Sequence, residues 1–377
     1  MKTITILHPF TPQAAGVVEA SVPQYHSQPH AKALMALASQ GYACAMEYFT
    51  PKWFGYSQKV KNIDYRFYPV TFTLNGDHKK WKKQGSNACL KTYTKNAPDM
   101  TIINMSGHSS KFSYQLSKVI LKQNKQYIAM LGGQHYTDNE MYREYYKNAH
   151  HILVHTHLQK KSMKQMDMFK NLDIRVFPLG VDCEVFKPNN KSFSKDIKLL
   201  YVGRIVEWKR VHLAIEAIHN LVKNGYTDAV LHIIGPTFSE KYLIELKSYV
   251  KANNLEQNVF FLGLKNHNEL MPYFQEADLF LLPSDKETFG MVMIESMACE
   301  TPVVGIDCPG GPKDVIESGV DGLLSLPQTY ATDVLNLIED KEKLNTMKTN
   351  ARQKVINKYS IEQTTKVLRQ SVNDALL

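Results

Sequence analysis

A short apolar run that ends at Pro and Ser, with a helix-forming stretch soon after it, most constrains the fold of this chain. The run is Ala277–Leu282, and Pro283 and Ser284 follow it directly. Apolar runs of this length that end in turn-forming residues are typical of buried strands in parallel sheets. Residues 291–299 then predict a helix. The sequence therefore contains a strand, a loop and a helix in succession, and parallel sheets bind their ligands beyond the carboxyl ends of such strands.

The start of this helix is suited to an anionic ligand. A helix N-terminus presents unpaired backbone N–H groups and a partial positive charge. Residues Phe289, Gly290, Met291 and Val292 supply that N-terminus, and the glycine allows a ligand to approach the backbone closely. We therefore expect these four residues to seat a diphosphate.

Two glutamates flank this N-terminus. Glu287 lies in the loop, where it could accept hydrogen bonds from sugar hydroxyls, and Glu295 lies about one turn inside the helix. An ionised carboxylate only accepts hydrogen bonds and has two oxygens, so Glu295 matches the vicinal diol of a ribose. Two surface charges at this spacing are the alternative interpretation, and the flanking sequence favours the binding interpretation.

Two glutamates separated by seven residues, with Phe-Gly after the first and a helix of small residues after the second, resemble the signature of the family 4 retaining glycosyltransferases. Further segments resemble that family in the same order along the chain. They are Val176–Pro188, Leu199–Arg210, Leu231–Pro236, Val259–Gly263 and Thr301–Gly305. The resemblance is specific in the C-terminal half of the chain and weak in the N-terminal half.

The resemblance implies an α/β protein of the GT-B fold, with two facing Rossmann-like domains, parallel sheets and a central cleft. It assigns residues 1–188 to an acceptor-binding domain and 189–359 to a nucleotide-sugar-binding domain, with a helix from about 360 to 377 returning to the first. The polar segment Lys187–Ser192 is the expected linker.

Alternating strands and helices in the N-terminal half agree with this class. A helix is expected at His30–Gln40 and another is expected to end near Lys122. The expected strands are Thr3–Leu7, Met100–Met105, Gln126–Leu131 and, as the last of that half, Ile152–His155.

The resemblance also implies roles for several residues. Arg204 and Lys209 would stabilise the charge of the departing diphosphate, because both cations suit phosphate oxygens. His135 would contact the hexose, and His108 is a weaker candidate for that role. The expected catalytic residues are His135, Arg204, Lys209 and Glu287, and Gly16, Gly203 and Gly235 complete the expected donor site. Surface cations and a structural histidine are the alternatives.

The implied reaction is retaining transfer of a hexose from a nucleotide diphosphate sugar, with UDP favoured over GDP, to a hydroxyl of a cell-surface glycan or a lipid-linked precursor. No cofactor is expected. Asp285 and Glu287 superficially match an Asp-x-Asp metal site, but Glu287 already has a role, so we expect no metal dependence. The alternatives are a sugar-nucleotide epimerase or phosphorylase on the same fold, and a non-catalytic polyanion-binding protein.

Positive charge is concentrated in the N-terminal half. Residues 1–188 contain 24 Lys and Arg against 12 Asp and Glu, whereas the rest of the chain contains 21 against 24. This surplus favours an anionic acceptor or membrane surface, and we expect no nucleic acid because no known binding module accompanies it. The densest patch comprises Lys79, Lys80, Trp81, Lys82 and Lys83, with Lys52–Tyr56 upstream. A solvated loop with Trp81 folded inward is the alternative.

Composition bounds the location of the protein. The chain has 377 residues, of which 44% are hydrophobic, and no tract of eighteen apolar residues that could cross a membrane. Its opening apolar run is too short for a signal peptide. Five widely spaced cysteines without a Cys-x-x-Cys pair favour reduced thiols. We therefore expect a cytoplasmic protein. The basic patch adds contact with the inner face of the membrane as one interpretation, and a solvated loop is the other.

Overall fold

The chain divides into two compact units in its computed structural model. The structure describes residues 1–15, 17–24, 29–105, 110–133, 136–189, 196–308 and 310–376. Unit 1 comprises Met1–Leu179 and Ile361–Leu377, and unit 2 comprises Gly180–Ser360.

Among the described residues, unit 1 is built on an eight-stranded sheet in the order β3-β4-β2-β1-β5-β6-β7-β8. Only the β3–β4 pair in this sheet is antiparallel. The strands are β1 Thr3–His8, β2 Ala43–Thr50, β3 Tyr56–Val60, β4 Ile63–Pro69, β5 Met100–Asn104, β6 Gln126–Leu131, β7 Ile152–Val154 and β8 Ile174–Val176. The helices that follow in the chain are α1 Pro29–Ala38, α2 Asn87–Lys95, α3 Lys111–Leu121, α4 Glu140–Asn148 and α5 His157–Lys164.

Both faces of the unit 1 sheet are covered. Successive side chains of a strand point to opposite faces, and Ile6 and Leu7 of β1 belong to two different buried clusters. Ile102 and Ile103 of β5 divide in the same way. Strands that are buried on both faces appear in a sequence as continuous apolar runs, which is why β1, β5 and β6 could be predicted.

Unit 2 contains a six-stranded, fully parallel sheet in the order β11-β10-β9-β12-β13-β14 within the described residues. The strands are β9 Lys198–Val202, β10 Val230–Ile234, β11 Val259–Gly263, β12 Leu279–Leu282, β13 Val303–Ile306 and β14 Gly322–Ser325. The helices are α6 Val211–Lys223, α7 Glu240–Ala252, α8 His267–Glu276, α9 Met291–Ala298, α10 Gly311–Val315, α11 Tyr330–Glu339 and α12 Lys341–Lys358.

The strand order of unit 2 reverses between β9 and β12. After β9 the chain adds β10 and β11 on one side, and then places β12, β13 and β14 on the other. The connections after β9 and β12 therefore leave the sheet in opposite directions and open a crevice at their carboxyl ends. Any ligand of this sheet is expected at that point.

The division between the units falls at Leu179 and Gly180, earlier than the boundary expected at residues 188–189. The intervening residues pack on unit 2. The Val181 amide donates to the carbonyl of Tyr359 at 2.8 Å, and the Phe186 ring lies 6.1 Å from that of Phe274. Residues 180–186 therefore belong to unit 2, and the polar segment that was expected as the linker comes after them.

The last helix, α13 Ile361–Leu376, belongs to unit 1. It buries Leu368 and Val372 in the cluster that contains residues of α1, and the Thr364 hydroxyl donates to the carbonyl of Pro178 at 2.8 Å. Within the described residues, no helix combines the length and the apolar character needed to cross a lipid bilayer.

The expectation that Ile152–His155 is the last strand of the N-terminal half was wrong. Residues Ile152–Val154 are followed by another strand, β8, which pairs with them in parallel. Strand β8 has three residues, of which only Ile174 is fully buried, so it lacks an apolar run. The sequence also gave no indication of β3, whose central residues are exposed at the sheet edge.

Buried histidines form part of the unit 1 core. The His8 ring stacks on Tyr48 at 4.4 Å, and the His30 ring stacks on Phe177 at 5.3 Å. Burial lowers the pKa of His8 to about 3 and that of His155 to about 4, and the pKa of His30 also lies well below its usual value. These side chains are therefore neutral in the folded protein across the physiological range.

We expect the buried histidines to make the folded protein less stable as the pH falls below about 6.5. Unfolded histidines bind protons near pH 6.5, whereas His8 and His155 stay neutral in the folded state, so the unfolded state gains protons as the pH falls from about 6.5 towards 4. Each of these two histidines should lower the free energy of unfolding by up to about 1.4 kcal/mol for each pH unit that the pH falls. The buried Glu47 and Glu295 carboxyl groups have raised pKa values, so they bind protons in the folded state and oppose this effect. Urea unfolding of the wild type and of His155→Gln at pH 7.5, 6.5 and 5.5 isolates the histidine contribution, and an equal fall of the free energy of unfolding in both proteins would contradict it.

Candidate functional site

The loop after β9 lies at the point where the strand order of unit 2 reverses. Gly203 and Arg204 follow the strand, and a 3-10 helix at Glu207–Lys209 leads to Arg210 and α6. Arg210 has a φ of 49°, a left-handed conformation that turns the chain sharply into the helix.

Two glycines allow the loop after β9 and the loop after β10 to touch. Gly235 has a φ of 145°, and a Cβ atom there would lie 1.9 Å from the carbonyl oxygen of Gly203. A Cβ on Gly203 would in turn lie 2.9 Å from the hydroxyl of Tyr201, which donates to the Arg204 carbonyl at 2.9 Å. The expected donor glycines therefore have a direct role in packing these loops, and they fix the backbone from which Arg204 extends.

Aromatic rings surround the Arg204 side chain. Its guanidinium carbon lies 5.1 Å from the ring centroid of Trp208 and 5.4 Å from that of Phe238. Lys209 Nζ lies 4.6 Å from the Trp208 centroid. Planar guanidinium groups stack well on aromatic faces and keep their N–H groups directed outwards in the ring plane. Trp208 thus orients both cations that the sequence assigned to phosphate.

Lys209 and Glu287 form a largely buried ion pair. Lys209 Nζ lies 2.5 Å from Glu287 Oε2, and the two side chains are 10% and 16% exposed. An ammonium group has three donors and a carboxylate has two oxygens, so each partner retains capacity for a ligand. The structure therefore brings together two residues that sequence reasoning had assigned to separate tasks.

Further contacts join the loops after β9 and β12. The Asp285 amide donates to the carbonyl of Trp208 at 3.0 Å, and the Asp285 carboxylate pairs with Arg210. Asp285 and Glu287 are thus both engaged with cations of the β9 loop. Within the described residues, no group of three or more His, Cys, Asp or Glu side chains is arranged to hold a metal ion.

The loop after β13 supports the Glu287 segment. A Cβ on Gly310 would lie 1.8 Å from the Glu287 carbonyl oxygen, and one on Gly311 would lie 1.8 Å from that of Phe289. The Gly311 amide donates to the Glu287 carbonyl at 2.9 Å. Sequence reasoning missed both glycines, although Gly-Gly-Pro after an apolar strand was a signal for a tight backbone contact.

Helix α9 begins beside Glu287. Gly290 is its N-cap with a φ of 84°, and a Cβ there would lie 3.0 Å from the Glu287 Cγ atom. The Phe289 side chain is buried with its ring 5.9 Å from that of Tyr359, so only its backbone is available to a ligand. Met291 and Val292 are half-buried.

Glu295 lies inside α9 and is 5% exposed. Burial raises the pKa of its carboxyl group to about 8. The sequence had suggested an ionised acceptor, whereas at neutral pH this carboxyl group is mostly protonated, and it then carries one donor as well as acceptor sites. The buried hydroxyl of Ser284, directly after β12, has no hydrogen-bond partner among the described residues.

Three of the sequence candidates cannot be placed. Gly16, His108 and His135 lie outside the described residues. The other candidates surround the carboxyl ends of β9, β10 and β12 in unit 2, where Arg204, Lys209 and Glu287 are linked through Trp208 and the buried ion pair.

Comparison of the fold with solved structures defines its class. The chain matches sucrose-phosphate synthase from Thermosynechococcus elongatus with a TM-score of 0.73 over 99% of both chains, at 18% identity. It matches Anabaena HepE, solved in complex with UDP, with a TM-score of 0.72 over 99% of this chain and 100% of that one, at 16% identity. These matches confirm the predicted GT-B fold.

The sequence comparisons find glycosyltransferases that match about half of the chain. Residues 182–354 match the model of the glycosyl transferases group 1. The capsular polysaccharide biosynthesis glycosyltransferase CapM of Staphylococcus aureus is 31% identical over 192 residues, which are 48% of this chain and 49% of CapM. The chain spans about half the length of the curated relatives it matches. These matches agree with the resemblance to glycosyltransferases found in the sequence.

The ion pair between Lys209 and Glu287 gives a testable stability prediction. Lys209→Met should lower the free energy of unfolding by about 3 to 5 kcal/mol, because it leaves a buried carboxylate without its cation. The double variant Lys209→Met with Glu287→Met should recover part of this loss, because neither charge is then buried. Chemical denaturation measures both.

The exposed pair between Lys241 and Glu245 serves as a control. Its side chains are 87% and 58% exposed, and its atoms lie 3.9 Å apart. Lys241→Met should therefore change the free energy by less than about 0.5 kcal/mol. Equal effects of Lys241→Met and Lys209→Met would show that the Lys209–Glu287 pair does not hold the loops together.

Proposed function

We propose that this protein is a retaining glycosyltransferase that moves a hexose from a nucleotide diphosphate sugar to a hydroxyl group. The observation that carries this proposal is the buried contact between Lys209 and Glu287 at the reversal point of a parallel sheet. One residue suits phosphate oxygens, the other suits sugar hydroxyls, and a donor sugar presents both groups next to each other.

The diphosphate is the leaving group, and stabilising its charge is the main catalytic task. Arg204 and Lys209 would donate to its oxygens, and the N-terminus of α9 at Gly290 would add backbone N–H groups. Glu287 would orient the hexose through its hydroxyls while it holds Lys209 in place. The unpaired Ser284 hydroxyl is a further polar group that a bound donor could satisfy.

The acceptor oxygen would attack the anomeric carbon from the face that the diphosphate leaves. The bond from that carbon to the phosphate oxygen breaks, the diphosphate keeps the electron pair, and the acceptor proton passes to the departing phosphate oxygen. The anomeric configuration is thereby retained. In this scheme His135 contacts the hexose, and neither a metal ion nor a cofactor takes part.

Glu295 would bind the ribose of the nucleotide, and UDP is favoured over GDP. The presence of UDP in the HepE complex supports this choice. A ribose diol donates two hydrogen bonds most effectively to an ionised carboxylate. Donor binding would therefore lower the raised pKa of Glu295 and release its proton.

The acceptor is proposed to be a cell-surface glycan or a lipid-linked precursor, handled in the cytoplasm at the inner membrane face. Two observations support this. The name of CapM places that relative in capsular polysaccharide biosynthesis. The N-terminal half of this chain also carries the surplus of positive charge that an anionic acceptor or surface would require.

Calorimetry of nucleotide-sugar binding tests the donor site. UDP-sugar binding to the wild type near pH 7 should release up to one proton per site, seen as a dependence of the enthalpy on the ionisation enthalpy of the buffer. Glu295→Gln should abolish the release and weaken binding by about tenfold, the effect of losing a charge-assisted hydrogen bond. Glu342→Gln, on an exposed position of α12, is the matched control.

Several outcomes would contradict the proposal. Lack of binding by every nucleotide sugar would favour a polyanion-binding protein. Conversion of the donor sugar itself without an acceptor would favour an epimerase, and formation of a sugar phosphate when inorganic phosphate replaces the hydroxyl acceptor would favour a phosphorylase. A transferase releases nucleotide only when acceptor is present, and the product keeps the anomeric configuration of the donor.

A further inference from the structure

Unit 1 exposes four large apolar side chains on two loops. Trp53 and Phe54 are each 85% exposed, Phe72 is 63% exposed and Leu74 is 98% exposed. The first two lie between β2 and β3, and the others lie after β4. Single exposed apolar residues are ordinary, but a group of this size marks an interaction surface.

The loop that carries Trp53 and Phe54 is held firmly at its base. The buried Glu19 carboxylate accepts hydrogen bonds from the Tyr56 hydroxyl at 2.7 Å and the Thr50 hydroxyl at 3.0 Å, and it lies 3.3 Å from Lys52 Nζ. At Gly55, a Cβ would lie 2.7 Å from a backbone oxygen of β4. The two aromatic side chains are therefore presented to solvent by a fixed backbone.

The loop that carries Phe72 and Leu74 is also tied down. The Thr71 amide donates to the Gly85 carbonyl at 2.7 Å, and the His78 amide donates to the Thr73 hydroxyl at 3.1 Å. The Phe72 ring lies 4.6 Å from that of His78. The Phe72 and Leu74 side chains of this loop are therefore exposed although its backbone is held in place.

The two loops lie next to each other. Trp53 and Phe72 line one cavity of about 800 Å³, and Lys52 and Lys79 line it as well. Trp53, Phe72 and these two lysines thus lie on one continuous surface. Phe54 and Leu74 extend from the same two loops, one residue from Trp53 and two residues from Phe72. We call this the loop surface, and its members are Lys52, Trp53, Phe54, Phe72, Leu74, Lys79, Lys80, Lys82 and Lys83.

Lysines extend the loop surface beyond the cavity. Lys79, Lys80, Lys82 and Lys83 are all exposed, and Asp77 pairs with Lys80 at 3.8 Å and Lys83 at 3.1 Å. One carboxylate therefore offsets only part of their charge.

Trp81, which the sequence assigned to the interacting surface, packs inward. It is half-buried against the core, and its ring lies 5.7 Å from that of Phe10. The alternative interpretation of this residue was therefore the correct one. Trp53 and Phe54 supply the exposed aromatic side chains in its place.

We propose that the loop surface docks unit 1 on an anionic phospholipid bilayer. Trp53, Phe54, Phe72 and Leu74 enter the boundary between headgroups and acyl chains, and the lysines contact lipid phosphates. A soluble polyanion would engage the lysines but leave the four apolar side chains in water, so a bilayer is the partner that uses both. This surface extends the peripheral location proposed above and does not depend on the transferase activity.

Vesicle co-sedimentation of the full chain tests the proposal. The wild type should bind vesicles of phosphatidylglycerol and phosphatidylcholine at low salt, and bind vesicles of phosphatidylcholine alone much more weakly. Trp53→Ser with Leu74→Ser should reduce binding to the anionic vesicles by about tenfold, because apolar burial is lost. Lys79→Gln with Lys82→Gln should reduce it by a similar factor and flatten its salt dependence.

Matched variants away from the loop surface serve as controls. Ile244→Ser removes an exposed apolar side chain from α7, and Lys341→Gln with Lys343→Gln removes two exposed charges from α12. Both should bind vesicles as the wild type does. Circular dichroism and nucleotide-sugar binding of every variant show that it is folded, and they report on the donor site separately from the loop surface.

Two results would overturn the proposal. One is failure of the wild type to bind anionic vesicles. The other is undiminished binding by the Trp53→Ser, Leu74→Ser variant when the lysine variant has lost it, since a purely electrostatic contact would indicate a polyanion as the partner. Retention on heparin without vesicle binding would point to the same conclusion.

Discussion

The buried ion pair between Lys209 and Glu287 is the interaction on which the geometry of the candidate site depends. It connects the loops after β9 and β12, which diverge where the strand order reverses, and the Asp285 amide reinforces that connection. Burying two charges is costly, and hydrophobic residues of similar size could pack as well. The proposed function accounts for such a pair, because the pair holds a cation and a hydrogen-bond acceptor side by side for a ligand.

Steric constraints complement this pair. The β10 loop can approach the β9 loop only because Gly235 meets the Gly203 carbonyl, and the β13 loop can approach Glu287 only because Gly310 and Gly311 lack side chains. Four loops thus converge through main-chain contacts, and the polar side chains extend from a rigid frame. Trp208 helps to orient the side chains of Arg204 and Lys209, because its ring lies next to both.

Much of this arrangement could be predicted from local sequence, and the rest could not for identifiable reasons. Strand β6 was predicted at its observed residues because it is a continuous apolar run with both faces buried. Strand β8 was missed because Arg175 lies at its centre and the strand therefore lacks an apolar run. The pairing of Lys209 with Glu287 joins residues 78 positions apart, which no local pattern reports. The protonated state of Glu295 follows from burial, which only the folded chain reveals.

The consecutive glycines Gly310 and Gly311 make the loop after β13 unusually intolerant of amino-acid substitution. The atoms that a side chain would strike there are main-chain oxygens of residues 287 and 289, so no smaller neighbour could make room. A substitution at either position could be accommodated only by a different backbone path, through insertion or deletion in the loop. Variation between related proteins at this point should therefore appear as changes in loop length rather than as exchanges of one residue for another.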